Sequence, residues 1–520
     1  VNSVEVHFFI MEILSDLSPT AFIRLNNVYG RIPALGRILA LVECAECKTI
    51  IVEENPQEKE FRAEFESHYK NVLSLEEKKH PKRLHFFKNI KTLENISDND
   101  PDYLGYCDIR PTTPHTISCA LIDHKIFSKP NKYIYLVCKR NFTVPFGSKN
   151  LSVEAFPYIQ QDGSIIRCAQ ASLASISMYY DKDITGPDFT TISEEAIPTG
   201  HRPIPSGGMT SSQIGFGWSK LDKDQVMYSW TSEEDEQRHL QHREQLIYRY
   251  LESGIPVLIG INAGRERHAL VVIGHTFTPD SWIAQTKTSY YELQKTGFNY
   301  HCSTNWVERF IVQDDNLGPY TLVLSEFLGN FGCDMITVGL PKNIFCKPED
   351  VEVFAGDLLC PREHNIVNKV FDLYIEKHCH TGGAFHDETA FWYNEFKYHT
   401  MCEDLVLRTY LKESDKWKDE IKKTPGYNEC KDLLENLPLP KYLWVTEISW
   451  PQIFRHGRKL CGEIVFDTTS QVHPGVPALD QCWLWMHVPG IVLWRNAQNN
   501  KKGTRVLQCE DPIRQHRFNE

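Results

Sequence analysis

The chain has 520 residues, room for roughly two to four domains rather than one core. Its 41% hydrophobic, 24% charged and 12% aromatic content is ordinary for a globular protein, which excludes a chain too polar to fold. Lysine and arginine number 56 against 68 acids, a net charge of −12, and that balance argues against a general nucleic-acid backbone binder.

Residues 1–100 alternate helix-like stretches with short apolar runs. One run, Ala34-Leu35-Gly36-Arg37-Ile38-Leu39-Ala40-Leu41-Val42, is short enough to fit strand or helix. The polar Ser97-Asp98-Asn99-Asp100 before Pro101 marks a boundary. A strand-rich stretch follows, including Tyr133-Ile134-Tyr135-Leu136-Val137-Cys138. Residues 150–340 alternate helical and strand patterns, as in an α/β or α+β enzyme core. Leu173, Ile176 and Tyr180 predict an amphipathic helix that opens at Cys168. Gln237 to Leu251 predicts another helix, stopped by Gly254 and Pro256. Strands are expected over Pro256–Ile261, His268–Ile273 and Phe310–Gln313, the last closed by Asn316-Leu317-Gly318-Pro319. Beyond Pro341, aromatic segments such as Phe391-Trp392-Tyr393 and Trp483-Leu484-Trp485-Met486 point to a further folded region. The expected division is an accessory region at 1–100, a catalytic domain at 101–345 and an accessory domain at 346–520.

Cys168 carries the most chemistry. A polar loop, Gln160-Gln161-Asp162-Gly163-Ser164, runs through Ile165-Ile166-Arg167 into its helix. There the positive end of the backbone dipole stabilises a thiolate. A histidine can generate that thiolate, and His268 opens a buried strand. A carboxylate or amide at the end of a later strand would orient the ring: Asp315 is the first choice, with Asp314 its rival and Asn316 a third. Strand alternation sends only one of the two aspartates toward the histidine. The oxyanion of an acyl-transfer intermediate needs donors, for which the Cys168 amide and the Gln160 side chain are candidates, with Gln161 open as an alternative. His275 is a weaker base, lying at the far end of the strand.

Pro157-Tyr158-Ile159-Gln160, Cys168-Ala169-Gln170-Ala171-Ser172, Arg267-His268-Ala269-Leu270-Val271-Val272 and Asp315-Asn316-Leu317-Gly318 together resemble the papain-like cysteine peptidase superfamily, in its peptidase C39-like branch. The resemblance covers roughly 150–340. It implies a papain-like core with Cys168 as nucleophile, His268 as base, Asp315 as orienter and Gln160 completing the oxyanion hole. Alanine and glutamine follow the cysteine where many relatives have glycine and proline, and Gln160 lies farther upstream than the papain spacing.

Other motifs are weaker. Gly207-Gly208-Met209-Thr210-Ser211-Ser212-Gln213 reads as a turn into a helix cap, without phosphate-loop spacing. Cys44-Ala45-Glu46-Cys47 lacks a second ligand pair, and on a strand His378-Cys379-His380 would point its members to opposite faces. No metal or cofactor is therefore expected. No run reaches the ~18 apolar residues of a membrane helix, and the start lacks a basic, then apolar, signal pattern. Sixteen cysteines between Cys44 and Cys509 are too sparse for a secreted disulfide scaffold, so reduced thiols in a cytoplasmic protein are expected. The function expected is a cysteine hydrolase cleaving a peptide, isopeptide or related amide. Its alternatives are acyl transfer to an amine, as in a transglutaminase, and a catalytically silent interaction module.

Overall fold

A computed structural model describes residues 11–15, 17–56, 58–71, 80–127, 133–200, 202–230, 243–262, 267–278, 298–330, 333–361, 366–380, 387–423, 430–470, 482–498, 501–506 and 513–515. Contacts divide the chain into two units, one made of Val1–Gln241, Ile255–Thr276 and Arg309–Leu340, the other of His242–Gly254, Phe277–Glu308 and Pro341–Glu520. Both mix helices with sheets.

The first unit begins with an antiparallel sheet whose strands run in sequence order: β1 (Met11–Ser15), β2 (Thr49–Glu54), β3 (Lys82–Phe87), β4 (Tyr103–Ile109) and β5 (Ile117–Ile122). Three helices accompany it: α1 (Pro19–Val28), α2 (Pro33–Cys44) and α3 (Lys59–Ser67). The ambiguous run at 34–42 is thus helical. Proline at its first turn suits a helix start, and Ala34, Leu35, Ile38, Leu39 and Val42 fall on one buried face. Glu58 caps α3, its carboxylate accepting from the amides of Glu60 and Phe61.

Further on come β6 (Ile134–Leu136) and a hairpin of β7 (Arg140–Phe146) and β8 (Lys149–Ala155). Val144, Phe146, Leu151 and Val153 of the hairpin share one apolar cluster with Ile51, Phe87, Tyr103 and Leu121 of the first sheet. Helices α4 (Cys168–Tyr179), α5 (Gly186–Ala196) and α6 (Ser211–Lys220) follow. The second sheet comprises β9 (Asp224–Ser229), β10 (Val257–Asn262), β11 (Arg267–Thr276), β12 (Arg309–Asp314), β13 (Gly318–Leu324) and β14 (Cys333–Leu340). Its order is β13-β12-β11-β10-β14-β9, with β6 also paired to β11. All these pairings are antiparallel. Strands therefore occupy all three segments expected from the sequence.

The second unit holds another seven-stranded sheet, from His301–Cys302 through Val406–Glu413, Tyr442–Ser449, Gly462–Asp467, Trp483–Val488 and Ile491–Arg495 to Lys502–Val506. Trp417, Leu443, Val445, Leu484, Trp485 and Val492 fill its core. The expected helix at 237–251 is observed over Arg243–Glu252, its first residues lying outside the described set. Phe391-Trp392-Tyr393 sits on the helix Asp387–Met401, and His378-Cys379-His380 ends the helix Ile366–His380 rather than lying on a strand, with side chains outside the described residues. No described helix is long and apolar enough to cross a membrane.

Candidate active site

Cys168 is the first residue of α4, preceded by Arg167 in extended conformation. Leu173 and Ile176 are fully buried, as the helical spacing requires, and α4 packs on β11. Cys168 itself remains partly accessible. A thiol in that first turn faces unpaired amides and the positive helix end.

The loop entering α4 is folded around Asp162. Its Oδ1 accepts from the amides of Ser164 (3.0 Å), Ile165 (2.9 Å) and Ile166 (2.9 Å), and its Oδ2 accepts from the Tyr69 hydroxyl at 2.6 Å. Gly163 sits at φ +80°, a conformation glycine reaches without strain. Gln160, just before, lies along β5: its amide donates to Ile117 O at 3.1 Å, and its Oε1 accepts from Ile117 N at 2.8 Å. Among the described residues its Nε2 makes no hydrogen bond. Gln161 turns elsewhere, its Nε2 donating to Asn316 Oδ1 at 3.0 Å.

His268 is the second residue of β11. Its Nε2 lies 3.3 Å from Asp314 Oδ1, 3.2 Å from Asp315 Oδ1 and 3.3 Å from Asn316 Nδ2. Cys168 is also among the groups that raise the His268 pKa. Alternation led us to expect one aspartate to face away, yet both carboxylates meet the ring. The reason is that β12 ends at Asp314, so the pleat lapses and the next residue is free to turn inward.

The two acids differ. Asp314 forms the hydrogen bond to His268, and the same oxygen accepts the amides of Asn316 (2.9 Å) and Leu317 (3.1 Å). Burial would raise its pKa, but these bonds and the His268 charge hold it below the ordinary value. Asp315 is an ion-pair contact whose oxygens lie off the line of any described donor. Burial, reinforced by the Asp314 charge and opposed by His268, pushes it up to about 7. For His268, burial works to lower the pKa. The hydrogen bond to Asp314, the Cys168 side chain and the charges of Asp315 and Asp314 outweigh it and push the imidazole up to about 10. Neighbouring groups with pKa values driven apart mark sites of proton chemistry.

His275 is fully buried on β11 with Nδ1 on Thr276 O. Cys47 is buried and pushed up to about 12 by that burial, whereas Cys44 is exposed. The Gly207 segment does lead into a helix cap, since Thr210 Oγ1 accepts from Gln213 N. It also borders α4: Gln170 Nε2 and Arg167 Nε donate to the side chain and carbonyl of Ser206, and Ser206 N donates to Ser164 O. A cavity of about 480 Å³ opens beside it, lined among others by Glu194, Arg202, Gly208 and Met209. Ligand atoms of His268, Asp314 and Asp315 lie within 4.8 Å of one another, the span of a metal site. Asp314 Oδ1 already serves three donors there.

The sequence missed the residues that hold this framework. Arg37 of α2 donates through Nε to Pro319 O at 2.7 Å and through Nη2 to Tyr320 O, fixing the turn after Asp315. Gly318, at φ +114°, lets that turn approach Ala34 and Arg37 where a Cβ would be 3.1–3.3 Å from them. A lone arginine within the apolar run 34–42 was the one local sign. Arg110, Glu64 and Tyr69 gave none.

No family model and no curated protein matches the chain. Among solved structures, the peptidase domain of Streptococcus ComA, a bifunctional ABC transporter involved in a quorum-sensing pathway, is similar at 13% identity and a TM-score of 0.22. That match spans 35% of this chain and 100% of the domain. It is a weak, partial likeness to a peptidase domain.

Proposed function

We propose that the protein is a cysteine hydrolase that cleaves a peptide, isopeptide or related amide through a thioester, using Cys168, His268, the Asp314–Asp315 pair and Gln160. The observation that carries this is a histidine whose Nε2 contacts two carboxylates and whose pKa is raised in part by Cys168 at the start of α4. That leaves Nδ1 for the thiol, the arrangement in which an imidazole can take a thiol proton.

In this mechanism the Cys168 thiolate attacks the carbonyl carbon and the C=O electron pair moves onto oxygen. The Cys168 amide and the free Nε2 of Gln160 stabilise that charge. His268 passes its proton to the leaving nitrogen as the C–N bond breaks, giving the thioester and an amine. Water then attacks, His268 takes its proton, and the C–S bond breaks to release the acid. Asp314 orients the ring, and Asp315 adds charge when ionised. The catalytic domain is the papain-like, C39-like region at 101–345, and the substrate is a protein or peptide met in the cytoplasm, with the cavity beside Ser206 offering space for one of its side chains.

The test exposes wild type, Cys168→Ala and His268→Ala to an electrophilic peptide probe and locates adducts by intact and peptide mass analysis. Labelling of Cys168 that is lost in His268→Ala is the expected result. Labelling absent, or spread over Cys44 and Cys402, in folded protein would leave an interaction module instead.

A further inference from the structure

We infer that the buried Glu64–Arg110 pair is a positioning device that fixes which end of the Gln160 amide faces the thiol. The inference rests on the proposed role of Gln160 in acyl transfer and adds residues that the sequence had assigned to no function.

Arg110 follows β4 and is wholly buried, as is Glu64 on α3. Its Nε and Nη2 donate to the two Glu64 oxygens at 2.7 and 2.6 Å, a bidentate pair. That leaves Nη1, which donates to Ile117 O at 2.7 Å and Thr116 Oγ1 at 3.0 Å. Ile117 is the same residue whose amide holds Gln160 Oε1 and whose carbonyl accepts Gln160 N. The guanidinium is thus locked on one side by Glu64 and spans on the other to the peptide that seats Gln160. With Oε1 occupied, a flipped amide would set its NH₂ against the Ile117 N–H. Nε2 is therefore the end left to donate. The second tether, Tyr69 to Asp162, fixes the loop between Gln160 and Cys168 from the segment just after α3. Both supports come from the first 110 residues.

Arg110 and Glu64 touch neither substrate nor thiol, so their effect should appear only when an oxyanion forms. The test compares two reagents on full-length protein. Iodoacetamide alkylates Cys168 by displacement at carbon, with no oxyanion. p-Nitrophenyl acetate acylates it through a tetrahedral oxyanion, forming the thioester and expelling p-nitrophenolate. The readout is the ratio of acylation to alkylation rate at Cys168, followed by peptide mass analysis. Gln160→Ala should lower that ratio by about 10²–10³-fold, the usual cost of one oxyanion donor. Arg110→Lys keeps a positive charge but loses the fork and should lower the ratio about 10-fold, with alkylation unchanged. The double variant should fall no further than Gln160→Ala alone. Should Arg110→Lys not fold, Thr116→Val removes one Nη1 acceptor and should move the ratio the same way. Equal loss of both rates in the Arg110 or Thr116 variant, an unchanged ratio there, or additivity with Gln160→Ala would overturn the inference while leaving the hydrolase reading intact. An unchanged ratio in Gln160→Ala would overturn the role given to Gln160 itself.

Discussion

Asp314→Asn gives the sharpest test of the ion pair. His268 is pushed up from an ordinary 6.5 to about 10, against its own burial, by the Asp314 hydrogen bond, the Cys168 side chain and two acidic charges. The substitution removes one of those charges, while the new amide oxygen can still accept from His268, Asn316 N and Leu317 N. Losing a close opposite charge lowers a histidine pKa by about 1–2 units. The imidazole of Asp314→Asn should therefore titrate about 1–2 units below that of wild type, and above that lowered value each unit makes the imidazolium about tenfold scarcer. At about pH 6 the ring is protonated in both proteins, so the difference is confined to the alkaline limb. The assay is an NMR titration of the His268 ring across about pH 5–11. An unchanged titration midpoint would refute the electrostatic account.

Asp315 predicts a stability effect of definite sign. Its carboxyl is held near about 7 in the folded protein against an ordinary 3.8, so the folded state holds the proton more tightly. Stability is therefore lost as pH rises from about 4 to about 7, and the penalty is complete above that. Asp315→Asn should raise the melting temperature at pH 8 by about 2–4 °C and leave it unchanged at pH 4; a rise equal at both pH values would contradict the burial argument. Asp162→Asn preserves an oxygen for the amides of residues 164–166 and should react with iodoacetamide nearly as wild type does, whereas Asp162→Ala should lose about 1–3 kcal/mol of stability in urea melts. Equal behaviour of the two variants would mean that those bonds do not shape the loop. EDTA should leave Cys168 alkylation unchanged; a chelator-dependent change would make His268, Asp314 and Asp315 metal ligands.

The sequence made local order legible. Periodicity located the helix at Cys168 and the strands bearing His268 and Asp314, because a face must be buried for such a pattern to exist. It did not reveal that both aspartates meet the ring, since alternation holds only within a strand and fails at its last residue. It was silent on Arg110, because a buried charge shows no periodicity and its partner Glu64 lies 46 residues away. The run at 34–42 was ambiguous for a related reason: nine residues satisfy either period, and only burial of Leu35, Ile38, Leu39 and Val42 on one helix face resolves it.

Arg37 reaches carbonyls 282 and 283 residues further along the chain, and this has a consequence for synthesis. Ribosomes deliver the chain from its N-terminus, so Gln160 can settle onto β5 while His268 has yet to be made. The turn that carries Asp314 and Asp315 can be clamped only later, after Tyr320 has emerged and found α2. Contacts so distant along the chain close slowly. Under the proposed mechanism the site is complete only once they close, so the nascent chain would be spared an activated thiol until then.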